Sequence, residues 1–241
     1  PDEYSSFVSE EISRRFPWSE NITFSTISTH RLAASSPPAF FNAMGIKEKT
    51  KIRDPKLERF LQIIGEKSSD RWLVFTEFKQ TARYLADGFE GRLVLTMSGE
   101  SSQDEREANA FLFRETEASI MVMTPVGSEG LDFQFCSNLI NYDLHWNPMR
   151  IEQRIGRIDR IGQNKKVVNI HNFHVAGSVD ENVRNIMGDK LALVSGTFAD
   201  IPAIVESKFE ISGSPVGQSV IEHESNVARS MIKSANFYNS I

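Results

Sequence analysis

Between residues 55 and 188, short apolar runs alternate with stretches of helical periodicity, and this leaves few architectures open. The runs fall at 72–75, 93–95, 120–123, 139–142 and 167–170. A strand that is apolar on both faces must be covered on both faces, and alternation with helices is the pattern of a parallel sheet. The intervening helices carry their own signals. Asp54 can cap a helix that has Pro55 in its first turn, Leu57, Phe60, Leu61 and Ile64 along one face, and Gly65 placed to end it. Phe78, Ala82, Leu85 and Phe89 share a second helical face, and Ser102 with Glu105 forms a capping-box pattern ahead of Ala108, Phe111 and Leu112. Ile151, Ile155 and Ile158 are expected on one face of the helix before the last strand.

The expected fold is therefore α/β, a parallel sheet flanked by helices over 55–188. Residues 1–54 are read as a helical and linker extension, broken near Ser35-Ser36-Pro37-Pro38. Residues 189–241 are read as a partly helical C-terminal extension, with Gly and Ser frequent at 195–196 and 211–215 and a polar helix expected over 220–233. Pro1, in place of methionine, is what an excised or processed piece would show.

Composition narrows the chemistry. With 40% hydrophobic and 24% charged residues the 241-residue chain can bury a core. Its 27 Lys and Arg against 32 Asp and Glu give a net charge of −5, so any nucleic-acid contact needs a local basic patch. A single cysteine, Cys136, cannot form an intramolecular disulfide or a Cys-rich zinc site, and it suits a small core residue. No apolar stretch approaches the roughly 18 residues of a membrane span, and the N-terminus lacks a signal-peptide pattern, so a soluble, intracellular piece is expected.

In parallel sheets ligands gather at loops beyond the carboxyl ends of strands. The run from Gln153 to Gln163 is the most distinctive segment there. Gln153, Arg157 and Arg160 lie at i, i+4 and i+7, opposite the isoleucine face, with Arg150 and Arg154 between. Guanidinium is permanently charged and forks onto phosphate oxygens. A solvated basic helix would explain the charge alone, but not the two glycines and two glutamines at these spacings. A second segment, Thr124 to Asp132, follows an apolar run. Its glycines, Gly127 and Gly130, permit close backbone approach, and Asp132 could accept ribose hydroxyls. Alone, such a turn serves a fold as readily as a ligand. His171 and His174 lack a completing cysteine or carboxylate cluster, so no metal site is expected there. Trp146 beside Pro148 reads as a structural wedge.

Taken together, residues 127–133, Trp146-Asn147-Pro148 and 153–163 resemble motifs V and VI of superfamily-two helicases. Leu73-Val74-Phe75-Thr76 resembles motif IV, and Ser98-Gly99 followed by Gln103-Asp104-Glu105-Arg106 resembles the next block. Trp146-Asn147-Pro148 and Arg160-Ile161-Gly162-Gln163 are most similar to the SWI/SNF-related translocase branch, in particular its bacterial RNA-polymerase-associated ATPase type. A weaker echo runs over residues 30–37. The resemblance implies a RecA-like domain, the second of a pair with ATP between them. It implies Arg157 and Arg160 as arginine fingers, Gln153 at the same phosphate, and Gly130 with Asp132 near the ribose. Thr76, Ser98, Gly99, Thr124 and Gly127 match positions that grip nucleic-acid backbone. The family often has histidine where Ser98 stands, which weakens that contact.

No Gly-x-x-x-x-Gly-Lys-Ser/Thr loop occurs, and Asp104-Glu105 and Asp180-Glu181 lie in polar helical contexts. Mg2+ is therefore expected on the missing first domain, and this piece alone is not expected to hydrolyse ATP. The implied partners are double-stranded DNA, that missing domain, and a DNA-bound complex such as RNA polymerase, in a bacterial cytoplasm beside the nucleoid, with no membrane. The competing expectation is a non-catalytic nucleic-acid or protein-binding module derived from a motor half.

Overall fold

The structure, a computed structural model, describes residues 2–16, 24–47, 53–89, 91–128, 130–175 and positions 178, 181 and 183. The expected helix over 220–233 lies outside the described residues. In chain order the elements are α1 (Asp2–Arg15), α2 (Phe24–Ser35), α3 (Pro37–Met44), α4 (Pro55–Glu66), β1 (Trp72–Phe75), α5 (Lys79–Asp87), β2 (Val94–Met97), α6 (Gln103–Glu115), β3 (Ile120–Met123), β4 (Asn138–Asn141), α7 (Pro148–Ile155) and β5 (Asn169–Asn172). The strands form one sheet in the order β2-β3-β1-β4-β5, every neighbouring pair parallel. The α/β fold with a parallel sheet is the one the apolar runs imply.

Side chains alternate across the sheet and build two cores. On one face Trp72, Val74, Ile120, Val122 and Ile140 meet Phe60, Ile63 and Ile64 of α4 and Ala82 and Leu85 of α5. On the other, Leu73, Phe75, Met97, Met121, Met123 and Leu139 meet Phe113 of α6 with Phe133, Cys136 and Ile158. Both faces of β1 and β3 are thus covered, which is why those runs contain no polar residue. The N-terminal helices form a third cluster of Val8, Ile12, Leu32, Ala33, Ala39, Phe40, Phe41 and Met44, with Phe78 packed against it.

Several local expectations shift. Asp54 does cap α4, accepting from the Leu57 amide at 3.0 Å, but the helix continues through Gly65 to Glu66. Phe78 precedes α5 and packs on the N-terminal helices, whereas Phe89, past its end, packs on the sheet. The capping box of α6 forms, yet Phe111 and Leu112 face solvent and Phe113 is buried. The phase of α6 is set by polar anchors one turn apart: Arg106 Nε donates to the Ser101 carbonyl and Asn109 Nδ2 to that of Thr96, both at 3.1 Å. This turns Ala110 and Phe113 inward instead.

The last strand begins two residues later than its apolar run. Val167 is exposed, and β5 pairs through asparagines: Asn141 Nδ2 donates to Asn172 Oδ1 at 2.8 Å, and Asn169 Nδ2 to Asn138 Oδ1 at 2.9 Å. Amide pairing between strands replaces apolar burial at this edge. Finally, α7 stops at Ile155. Ile151 and Ile155 pack with Leu144 and Val183, while Ile158 crosses to the core around Leu73 and Phe75. The three isoleucines therefore serve two clusters, because the chain leaves the helix at Gly156.

A buried histidine, His30, and a half-buried one, His145, make stability depend on pH. Burial lowers His30 to about 4, and burial together with the guanidiniums of Arg154, Arg31 and Arg150 lowers His145 to about 4. Both ionise below their ordinary value, so the unfolded chain takes up these protons first, and their contribution is lost as pH falls from about 6.5 to about 4. Burial pushes the Asp54 and Glu77 carboxyls up, which acts in the opposite sense. Replacing both histidines by glutamine should make the urea midpoint fall less steeply than wild type across that window.

Candidate nucleotide and nucleic-acid site

The carboxyl ends of β1 and β4 converge on one buried carboxylate. Asp143, two residues beyond β4, is 1% exposed. One of its oxygens accepts from Lys56 Nζ of α4 at 3.0 Å. The other accepts from Ser35 Oγ of α2 at 2.8 Å, from Thr76 Oγ1, and from the Glu77 amide at 3.1 Å. Burial would raise this carboxyl, but Lys56 and the hydroxyls of Thr76 and Ser35 overcome it and hold Asp143 below the usual range. Lys56 also stands over the Tyr142 ring, 4.3 Å from its centroid. Arg31 of α2 donates to the Leu144 carbonyl at 2.7 Å. The N-terminal helices are in this way joined to the sheet by charge and hydrogen bonds as well as by Phe78.

Arg154 of α7, 4% exposed, completes the cluster. It donates to Asn141 Oδ1 at 3.0 Å and the Asp143 carbonyl at 2.9 Å, and pairs with Glu77. Its guanidinium lies over Phe75, 5.2 Å from the ring centroid. Sequence reasoning set Arg154 between the two faces of the segment and missed Asp143, Lys56 and Glu77. The one available hint was a lysine directly after the first helical proline, where a cation opposes the helix dipole unless it has an acidic partner.

Beside this cluster, Glu77, Phe78, Lys79 and Gln80 form one wall of a groove of about 470 Å³. Ser98, Gly99 and Glu100, after β2, and Thr124, Pro125 and Val126, after β3, supply the rest. Three of the residues matching backbone-gripping positions, Ser98, Gly99 and Thr124, therefore meet in one place. Gly127 sits in a short 3-10 turn behind them, where an added Cβ would lie 2.7 Å from the Met97 carbonyl carbon and oxygen and 2.8 Å from the Ser98 amide. Only glycine lets the two loops stack. Thr76 differs: it is fully buried and its hydroxyl points to Asp143, so it fixes the loop from below.

The arginine segment forms a separate surface. The Phe133 amide donates to the Arg157 carbonyl at 2.9 Å, and Arg157 itself donates to the Leu131 carbonyl at 3.0 Å. Arg160 pairs with Asp132, with about half of each side chain in solvent. Gly130 turns the chain into this loop at φ +78, a left-handed conformation that favours glycine. Arg157, Arg160, Asp132 and Gly130 are thus gathered at one edge, with Gln153 exposed on α7. His171 packs its ring against Trp72, 5.6 Å between centroids, and His174 is buried. Among the described residues no group of three or more His, Cys, Asp or Glu could hold a metal ion, and no helix is long and apolar enough to cross a membrane.

Residues 55–162 match the helicase conserved C-terminal domain. An ATP-dependent helicase of Bacillus subtilis, YqhH, is 34% identical over 149 residues, 60% of this chain and 26% of the relative. The RNA polymerase-associated protein RapA of Vibrio campbellii is 37% identical over 123 residues, 49% of this chain and 13% of that protein. Residues 55–162 are a helicase conserved C-terminal domain. The fold of this helicase domain is RecA-like. It is shared with the Sulfolobus solfataricus SWI2/SNF2 ATPase core in complex with double-stranded DNA, at TM-score 0.62 and 21% identity over 82% of this chain and 43% of that one. The C-terminal domain of the same ATPase, at TM-score 0.59 and 18% identity, is covered to 85% over 82% of this chain. The chain spans about a quarter or less of the two curated relatives.

The two glycines of the helicase domain's Thr124–Asp132 segment should respond unequally to alanine. Gly127→Ala forces backbone apart and should cost about 1–3 kcal/mol. Gly130→Ala meets no atom within 4 Å and carries only the left-handed strain, about 1–2 kcal/mol. Urea unfolding of the two variants measures the difference, and only Gly127→Ala should also perturb the groove amides in NMR spectra.

Proposed function

We propose that this chain is the second motor half of an ATP-dependent double-stranded DNA translocase. Its arginines would meet ATP carried by a preceding RecA-like half. The observation that supports this best is that Arg157 is half-buried and Arg160 exposed on one loop, in contrast to the full burial of Arg154 three residues before Arg157. A guanidinium held at the surface by an exposed carboxylate, as Arg160 is by Asp132, can exchange onto a phosphate at little cost. The donors therefore suit a polyphosphate. Gln153 would face the same phosphate, and Gly130 and Asp132 the ribose. ATP supplies the bond whose hydrolysis drives the motor. Within this half, Arg157 and Arg160 orient and neutralise the phosphate, and the buried Arg154 holds their segment against the sheet. Mg2+ would be held by the preceding half, because the sequence here carries neither a Gly-x-x-x-x-Gly-Lys-Ser/Thr loop nor an Asp-Glu pair at the end of an apolar strand.

Ser98, Gly99, Thr124 and Gly127 would grip backbone phosphate through amides and hydroxyls, a contact that carries no base sequence, with Thr76 supporting them from beneath. The likeness to RNA polymerase-associated relatives makes a DNA-bound complex such as RNA polymerase the proposed object of remodelling, in a bacterial cytoplasm close to the nucleoid. Domain limits of 1–54, 55–188 and 189–241 are part of the same reading.

The test is Arg157→Ala in the protein with its preceding half restored. DNA-stimulated ATP hydrolysis should fall by roughly 10³-fold or more. Folding stability should drop by only about 1 kcal/mol, the worth of one hydrogen bond to Leu131. Unaltered hydrolysis would leave a non-catalytic binding module as the better account.

A further inference from the structure

The groove between α5 and the loops after β2 and β3 contains its own anion. Glu100 lies in a tight turn: the Ser101 amide donates to the Ser98 carbonyl at 3.1 Å, the Glu100 amide to Ser98 Oγ at 3.2 Å, and the Ser98 amide to Ser101 Oγ at 3.1 Å. Those bonds fix where the carboxylate projects. It reaches across to α5, where Lys79 Nζ donates to one oxygen and Arg83 donates to the other at 3.3 Å. Lys79 and Arg83 are one helical turn apart, on one face of α5, and the three side chains remain 45%, 69% and 58% exposed for Lys79, Arg83 and Glu100. The Lys79 hydrogen bond, with its charge and that of Arg83, holds the Glu100 carboxyl below the usual range, so it is ionised wherever the groove would work.

We propose that Lys79 and Arg83 form a phosphate subsite for nucleic-acid backbone and that Glu100 is its resident competitor. A carboxylate that bridges two cations presents them with two oxygens, as a phosphodiester would. Backbone phosphate entering the groove therefore displaces Glu100 from Lys79 and Arg83, and the carboxylate turns out to solvent. Two consequences follow from ion-exchange physics. The paired cations condense fewer counter-anions and gain less on binding than free ones would. The lip of the groove also discriminates against weak or isolated anions, since only a ligand already held by the Ser98, Gly99 and Thr124 side of the groove has a second foothold from which to displace Glu100. The other carboxylate of the groove, Glu77, is committed to Arg154 and is not in competition.

This proposal rests on reading the groove as the nucleic-acid site, and the experiment separates the two. A short fluorescein-labelled DNA duplex is titrated with the 241-residue chain and its variants, followed by anisotropy at a series of salt concentrations. Glu100→Gln should tighten binding by roughly threefold to tenfold. It should also steepen the dependence of log affinity on log salt by up to about 0.9, one charge's worth of ion release, because no displaced carboxylate is left to take up a counter-ion. Lys79→Ala with Arg83→Ala should weaken binding and abolish the gain from Glu100→Gln when all three are combined. If the double alanine variant weakens binding but Glu100→Gln changes neither affinity nor slope, the groove stands and the competitor is overturned. If no variant alters binding, or none binds, both readings fall. Circular dichroism melting of Glu100→Gln should match wild type, since its partners are exposed surface side chains.

Discussion

A buried ion pair at the carboxyl edge of the sheet organises this molecule. Asp143 and Lys56 are both almost wholly removed from water. Desolvating two charges is costly, and mutual attraction offsets that cost only when the remaining lone pairs are also satisfied. Here they are: the Ser35 and Thr76 hydroxyls and the Glu77 amide occupy the free positions of the carboxylate. The groups that satisfy one carboxylate come from α2, α4 and the loop after β1. Charge neutralisation therefore fixes the N-terminal helices, the first wall of the groove and the end of β4 in one arrangement. A purely apolar contact would tolerate sliding at this junction; a fully bonded carboxylate does not.

From that point the two functional surfaces diverge. One branch runs through Glu77 into the groove, where the chain stacks the loop after β3 on the loop after β2 so closely that Gly127 admits no side chain. The other runs through Arg154 and α7 to the turn that presents Arg157 and Arg160. Because Arg154 touches Glu77, Asn141 and the Asp143 backbone, the groove and the arginine turn share a buried contact rather than only a common sheet. In a motor whose phosphate grip and nucleotide contact must move together, such a contact is the expected place for the two to be mechanically joined.

The sheet was legible because β1 and β3 are buried on both faces and leave runs with no polar residue. The edges were less so. At β5 the apolar run and the strand differ by two residues, since asparagine pairs across β4 supply what burial supplies elsewhere. The face of α6 was misjudged for a related reason: Arg106 and Asn109 bond to neighbouring loops and set the helix's rotation, so Phe111 and Leu112 point outward although they are apolar. At the candidate site, glycine and arginine spacing singled out two segments: the fold packs Gly127 against the loop after β2 and gathers Arg157 and Arg160 beside Leu131 and Asp132. The Asp143 cluster was not legible. Its members lie at 35, 56, 76, 77, 143 and 154, and only the fold brings them together. Nor could spacing separate Arg154, which is buried among Glu77, Asn141 and Asp143, from the half-buried Arg157 and the exposed Arg160.

A double-mutant cycle on Lys56→Met and Asp143→Asn, followed by urea unfolding, tests the organising role of this pair most directly. Each single change leaves a buried group without its counterpart and should cost about 3–5 kcal/mol, while the double variant should cost less than the sum by at least about 1 kcal/mol. Small, additive losses from the two single variants would contradict the account, placing the weight of the fold on the apolar clusters alone.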